Sequence, residues 1–209
     1  MSTYPITLMP ESLNQNRINS SPLYFSSAPK GRFDDYLFDV LYSFFDSRFP
    51  ELYVTKRMKV QYVNSRDKPI EYTPDVIVFD RLTNTFIDIE IDEPWWEDKG
   101  RGTREPNHYI GRDNKRNENF LQMDWVIIRF AEQQVYYAID ECAKVVASAL
   151  DEFRVKKHKL CPKLDSIPDL FKVSQWTRDE AINIWRPSKP SKNYSEDIKE
   201  EFPDDDFPF

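Results

Sequence analysis

Between Pro74 and Asp92 the chain runs apolar, turns, and then alternates strictly: PDVIVFDRLTNTFIDIEID. The pattern predicts two short strands joined by a turn at Leu82-Thr83-Asn84-Thr85. In the second strand Ile87, Ile89 and Ile91 alternate with Asp88, Glu90 and Asp92. Strand side chains change face at every residue, so the isoleucines share one face and the carboxylates the other. Upstream, Phe33, Leu37, Val40, Leu41 and Phe44 recur at three- and four-residue steps, which predicts a helix from about Arg32 that Pro50 ends. Val54 to Val63 reads as the first strand, with Met58, Val60 and Tyr62 alternating against Lys59 and Gln61. Downstream, Asp113 to Gln122 fits a short helix and Trp125 to Ala131 a buried strand. Val135 to Phe153 keeps the 3.6-residue period of the longest helix. The order helix, three strands, helix, strand, helix predicts an α/β domain with a mixed sheet flanked by helices.

The two ends of the chain lack such periods. Residues 1–31 mix Ser, Asn and Pro with scattered apolar residues and are expected to form a partly ordered N-terminal arm ahead of a core at 32–155. A basic run at Lys156, Lys157, His158, Lys159 and Lys163 opens a C-terminal extension, 156–186, expected to hold one or two short helices. Residues 187–209 read as a disordered acidic tail. With 209 residues and 40% hydrophobic content the chain can bury one continuous core. It has no apolar run of membrane-spanning length and no signal-peptide pattern, so no membrane partner is expected. Cys142 and Cys161 are far apart and are expected as reduced thiols in a cytoplasmic protein.

Net charge is −7, which on its own argues against nucleic acid as a partner. Residues 196–209 alone, with seven acids against Lys199, carry −6 of it. The body is therefore close to neutral, and a basic patch on it can still meet DNA. Six bases fall between residues 99 and 116: Lys99, Arg101, Arg104, Arg112, Lys115 and Arg116. With Trp95 and Trp96 beside them they suit a phosphate-contacting surface as well as they suit a solvated loop over packed rings.

Asp75, Asp88, Glu90 and Asp92 on one edge of a small sheet would repel one another strongly unless a cation sat among them. A divalent metal is the expected reason for the arrangement, with Asp75 and Glu90 as ligands from the two strands, the Ile91 carbonyl as a further ligand, and Mg²⁺ or Mn²⁺ as the ion. Asp92 shares a face with Glu90; Asp88, further from the strand end, reads as a turn or surface residue. Asp34, Asp35 and Asp39 suit solvated positions near a helix start, and Asp34 or Asp35 alternatively joins the acids.

Pro74-Asp75, followed by a hydrophobic strand carrying Glu90-Ile91-Asp92, resembles the restriction-endonuclease-like, or PD-(D/E)xK, nuclease superfamily, whose fold has the same element order. Its usual lysine two residues after the second acid is Asp92 here. One branch, similar to very-short-patch-repair endonucleases, has instead E-x-D, a downstream His, D-x-x-R and a strand ending in Arg-Phe. The chain matches these with His108, Asp113, Arg116 and Arg129-Phe130, over roughly residues 33–150. The resemblance implies a restriction-endonuclease-like sheet and a Mg²⁺-dependent DNA endonuclease. Asp75 and Glu90 would hold metal with Asp92 close by, His108 would be a general base or leaving-group contact, and Arg116 a phosphate contact or clamp. Asp34 would match the family's helix acid. The missing lysine implies the alternative, a catalytically inactive nuclease-fold adaptor.

The last six residues, Asp204-Asp205-Asp206-Phe207-Pro208-Phe209, resemble the tail tip of bacterial single-stranded DNA-binding proteins. That resemblance implies docking onto proteins that bind such tails, and hence recruitment to replication, repair or mobile-element DNA.

Overall fold

The computed structural model describes residues 2–11, 23–25, 31–45, 48–63, 69–98 and 100–186, to which every count below refers. Three short strands come first: β1 (Thr3–Tyr4), β2 (Ile6–Leu8) and β3 (Leu23–Phe25). Helix α1 (Asp34–Phe45) follows, then β4 (Leu52–Thr55), β5 (Met58–Val63), β6 (Pro69–Tyr72), β7 (Val76–Asp80) and β8 (Thr85–Asp92). A hairpin of β9 (Trp95–Asp98) and β10 (Thr103–Pro106) leads to α2 (Asn114–Gln122), β11 (Val126–Ala131), α3 (Glu132–Tyr137) and α4 (Ile139–Asp151). Two 3₁₀ turns, β12 (Val173–Ser174) and α5 (Arg178–Ala181) complete the chain.

The central sheet runs β2-β11-β8-β7-β4, with β11 parallel to β8 and every other pair antiparallel. It is a mixed sheet flanked by helices, as the element order predicts. Strand alternation sorts its two faces. Ile87, Ile89 and Ile91 point with Val76, Val78, Val126, Ile128 and Phe130 into a core closed by Phe33, Leu37 and Leu41 of α1 and Cys142, Val146 and Leu150 of α4. Each fully buried aliphatic side chain there stabilises the fold by about 1.5–3 kcal/mol. The opposite face carries Ile77, Phe79, Phe86 and Ile127, packed against Phe120 of α2, Trp125, and Met58 and Val60 of a second sheet, β3-β5-β6. Phe79, Phe86 and Trp125 stack there in series, at 4.3 and 4.8 Å. That second core sits towards the turn end of the β7–β8 hairpin, and the acids of β8 follow along the same face.

Several elements differ from the sequence pattern. Part of the N-terminal arm is built into the fold: β2 pairs with β11 as an edge strand, and Tyr4 is fully buried. The stretch 54–63 is two strands, because the chain leaves the central sheet after Thr55, turns through Arg57 at φ +62°, and enters the second sheet at Met58. The basic stretch after Trp95 and Trp96 is not all loop: the β9–β10 hairpin runs through it. The long helix breaks at Ala138 (φ −147°, ψ 53°); its apolar period continues because α3 and α4 both face the first core. In the C-terminal extension a two-residue strand pairs β12 with β1, and the helix α5 is four residues long. Both cysteines are free, and no helix among the described residues is long and apolar enough to cross a membrane.

The turn end of the β7–β8 hairpin is sealed. Asp80, wholly buried, accepts hydrogen bonds from Leu82 N and the Thr83 hydroxyl (both 2.9 Å), while Asn84 takes the left-handed conformation at φ +54°. Arg154 Nε donates to Asp80 Oδ2 at 2.7 Å, and its Nη1 reaches Glu51 and the His158 carbonyl.

Candidate metal site at the open end of the β7–β8 hairpin

At the opposite end of the same hairpin the acids converge. Val76 pairs with Ile89, so Asp75 lies across from Glu90 on the α2 side of the sheet. Ile91 N donates to Asp75 Oδ2 at 2.7 Å, which fixes the carboxylate at the strand edge. Glu90 is 3% exposed and is held by Arg116 from the first turn of α2. Asp34, at the start of α1, accepts from Gly31 N at 2.7 Å and is itself buried. Desolvation pushes Asp75's carboxyl well above the usual carboxylate range, the charges of Glu90 and Asp34 push it further, and the Ile91 hydrogen bond and Arg116 only partly oppose them. Helix, hairpin and sheet thus bring Asp34, Asp75 and Glu90 together. Asp34 joins the acids rather than standing in solvent. Asp35, by contrast, pairs with Lys56 at the surface.

Asp88 is not a turn or surface residue. It is fully buried, neither carboxylate oxygen accepts a hydrogen bond, and the Arg116 Nη2 on its Oδ1 side is 3.5 Å away. Burial and the neighbouring Glu90 hold its carboxyl well above the usual range against the pull of Arg116. The alternation placed Asp88 on the correct face; the covering by α2 and the second core, invisible in a local pattern, makes it interior.

Asp92 has a different environment from Glu90. Arg129, in register beside Glu90 on β11, grips it through Nη2–Oδ1 (2.5 Å) and Nε–Oδ2 (3.0 Å), and the Tyr4 hydroxyl donates to Oδ2 at 2.9 Å. Arg129 Nη2 also lies 3.2 Å from Asp113 Oδ2 and 3.0 Å from His108 Nδ1. His108 adopts φ +43°, a conformation few non-glycine residues take, and its carbonyl lies 3.3 Å from the Tyr4 hydroxyl. Asn107 beside it accepts from the Trp176 indole at 3.0 Å. His108 Nδ1 lies 2.9 Å from Asp113 Oδ2 and 3.4 Å from Asp92 Oδ1. Burial lowers the affinity of His108 for a proton, but Asp92 and Asp113 outweigh it and the net shift is upward. An Nδ1–H directed at Asp113 follows, so Arg129 bonds the two carboxylates rather than the imidazole. Burial would raise Asp113 too; the His108 hydrogen bond and the charge of Arg129 instead hold it at about 2.

Asp92, His108 and Asp113 offer ligand atoms close enough together to hold a metal ion. The guanidinium of Arg129 already fills that space, so a cation there would meet a buried, fixed positive charge. Asp75, Glu90 and Asp34 fit a hard divalent ion better: they are oxygen donors, their mutual repulsion is the dominant local charge effect after desolvation, and Asp88 behind them is an orphaned buried carboxylate.

Glu93 is a site residue that sequence reasoning passed over. Its carboxylate and that of Asp34 flank Gly31, where an added Cβ would lie 3.0 and 2.4 Å from them. Burial pushes Glu93 to about 7, with Arg186 (Nη2 3.7 Å away) and His108 pulling down and Glu132 and Asp34 pushing up. Arg186 itself bonds Glu132 through two nitrogens, at 2.6 and 2.7 Å. The available signal was the acid directly after Asp92 at the strand end.

The basic set is dispersed. Arg116 faces the acids. Arg104 stacks 4.1 Å over Trp95 and donates to the Ile182 carbonyl, and Arg101 pairs with Asp98. Arg112 and Lys115 are exposed, and Trp96 is about half exposed. Lys99 and the tail tip, Asp204, Asp205, Asp206, Phe207, Pro208 and Phe209, lie outside the described residues. No protein-family model matches the chain, no curated protein matches it, and no solved structure matches its fold.

Proposed function

We propose that the chain is a divalent-metal-dependent deoxyribonuclease related to the PD-(D/E)xK superfamily. The observation that carries this reading is the set of carboxylates crowded at the open end of β7 and β8, with Asp88 buried and unbonded behind Glu90. Asp75 and Glu90, with the Ile91 carbonyl and Asp34 beside them, would hold Mg²⁺ or Mn²⁺. The ion would neutralise charge on phosphorus-bound oxygens and lower the pKa of a bound water.

The chain's own residues divide the remaining work. Glu93, titrating near neutrality, is suited to take a proton from the attacking water. His108, whose affinity for a proton Asp92 and Asp113 raise, is suited to donate a hydrogen bond to the phosphate or to the departing oxygen. Asp92 and Arg129 position His108 and are not themselves ligands. Arg101, Arg112 and Lys115, all exposed, would contact the DNA backbone together with Lys99, and the tail tip would dock onto proteins that bind the tails of single-stranded DNA-binding proteins. A cytoplasmic enzyme acting on replication, repair, mobile-element or phage DNA follows from that reading.

A second reading, an inactive adaptor with the same fold, is favoured by one observation: Asp92 stands where a lysine is usual, and its carboxylate is consumed by Arg129 and Tyr4. The deciding experiment is incubation of the purified protein with duplex, single-stranded, mismatched and branched DNA in Mg²⁺ or Mn²⁺. The nuclease reading expects cleavage that chelation, Asp75→Asn or Glu90→Gln removes while the fold survives. No cleavage of any substrate, with DNA binding indifferent to Glu90→Gln, would establish the adaptor.

A further inference from the structure

Arg116 occupies an unusual position for a residue expected on a DNA-contacting surface. It rises from the first turn of α2, and its Nη2 reaches Glu90 Oε1 and, at 3.5 Å, Asp88 Oδ1. Its Nε is buried and has no hydrogen-bond partner. The guanidinium lies 5.5 Å from the Phe120 ring and 5.6 Å from the Tyr72 ring, and the side chain is 17% exposed. Asp75 also feels its charge. Arg116 is thus the cation that stands directly against Glu90 and Asp88.

A divalent ion between Asp75 and Glu90 would compete with Arg116 for the same Glu90 oxygens and would repel the guanidinium at short range. Arg116 differs from Arg129 in its freedom to respond. Arg129 is 1% exposed and gripped by Asp92 through two nitrogens. Arg116 is joined to the acids through one nitrogen, has an Nε without a hydrogen-bond partner, and is partly exposed where Arg129 is not. A planar guanidinium released beside the metal is suited to bind a phosphate oxygen through two parallel hydrogen bonds.

We propose that Arg116 is a displaceable internal cation: it neutralises Glu90 and Asp88 while no divalent ion is bound, is driven off Glu90 when one binds, and then presents its guanidinium to the scissile phosphodiester. In this role it supplies the positive charge that the residue two positions after Glu90, here Asp92, does not. The inference rests on the metal-dependent nuclease reading and adds to it a residue that links metal uptake to substrate capture.

The test is calorimetric titration of Mn²⁺, without DNA, into the full-length wild type, Arg116→Met and Arg116→Lys, followed by single-turnover cleavage with the same proteins. Removing the internal competitor should tighten Mn²⁺ binding by about tenfold in Arg116→Met, with Arg116→Lys in between. Cleavage should nonetheless fall by about a hundredfold in Arg116→Met. A purely structural clamp would give weaker or unchanged Mn²⁺ binding instead, and that outcome overturns the proposal while leaving the metal site intact. If the wild type takes up no Mn²⁺, the metal reading and this inference fall together. Should Arg116→Met not fold, Arg116→Lys decides alone: Mn²⁺ affinity no tighter than wild type refutes the inference.

Discussion

The two ends of the β7–β8 hairpin are built from the same kind of residue and differ in how charge is balanced. At the turn, Asp80 is wholly buried and every neighbour is a donor: a backbone N–H, a hydroxyl and Arg154. At the open end, Asp75, Asp88 and Glu90 share Arg116, and neither Asp88 oxygen is bonded. A buried carboxylate matched by donors is a structural joint. Buried carboxylates crowded against one another store repulsion, and such repulsion is retained where an ion or a substrate relieves it. One hairpin therefore shows what interior aspartates look like when folding alone explains them, and what they look like when it does not.

Substitution should separate the ends most sharply. Removing a ligand at the open end, Asp75→Asn or Glu90→Gln, should lower DNA cleavage by on the order of a thousandfold or more, as the loss of metal-supplied charge stabilisation implies. Chemical denaturation of the same variants should show unchanged or slightly increased stability. At the turn the pattern inverts. Arg154→Met leaves Asp80 buried and unpaired and should cost about 3–5 kcal/mol in unfolding free energy, while Mn²⁺ binding per folded molecule stays unchanged. Equal loss of stability at both ends would dissolve the contrast.

The response to pH sharpens it further. Asp75 and Asp88 have raised pKa values in the folded chain, and Glu93 stands at about 7. The unfolded chain ionises these groups first, near the ordinary value of about 4, so their contribution to stability is fully present below that pH. It is lost as pH rises towards and through the folded values. Without metal, the melting temperature should therefore fall between about pH 5 and pH 8, and the gain on adding Mg²⁺ should grow over the same interval. A metal-induced gain that does not change with pH would contradict the arrangement. The smallest effect is expected at Asp92: Tyr4→Phe removes the hydroxyl that donates to its Oδ2 and should cost about 1.5–3 kcal/mol, with cleavage reduced less than by any ligand substitution.

Much of this contrast was legible in the sequence, and the limits have physical causes. Alternation in Ile87–Asp92 correctly divided the hairpin into an apolar and an acidic face, and the spacing of Phe33, Leu37 and Leu41 located α1. Period two says which face a residue occupies and nothing about what covers that face, so Asp88 went unrecognised as interior. Arg129 lies 37 residues from Asp92, and the two meet only because β11 packs parallel to β8. The N-terminal strand β2 is three residues long and gains its structure from pairing with β11, so no local pattern marks it. The break in the stretch 54–63 rests on a left-handed Arg57, where no glycine or asparagine gave a signal.

On the metal-site reading, the open end of the hairpin takes up a divalent cation and the turn end does not. Calorimetric titration of Mn²⁺ at pH 8 into the wild type, Asp75→Asn and Asp80→Asn separates the two ends. Saturable binding in the wild type and in folded Asp80→Asn, abolished in Asp75→Asn, is the predicted result. Absence of binding in the wild type, or equal binding in Asp75→Asn, would contradict it.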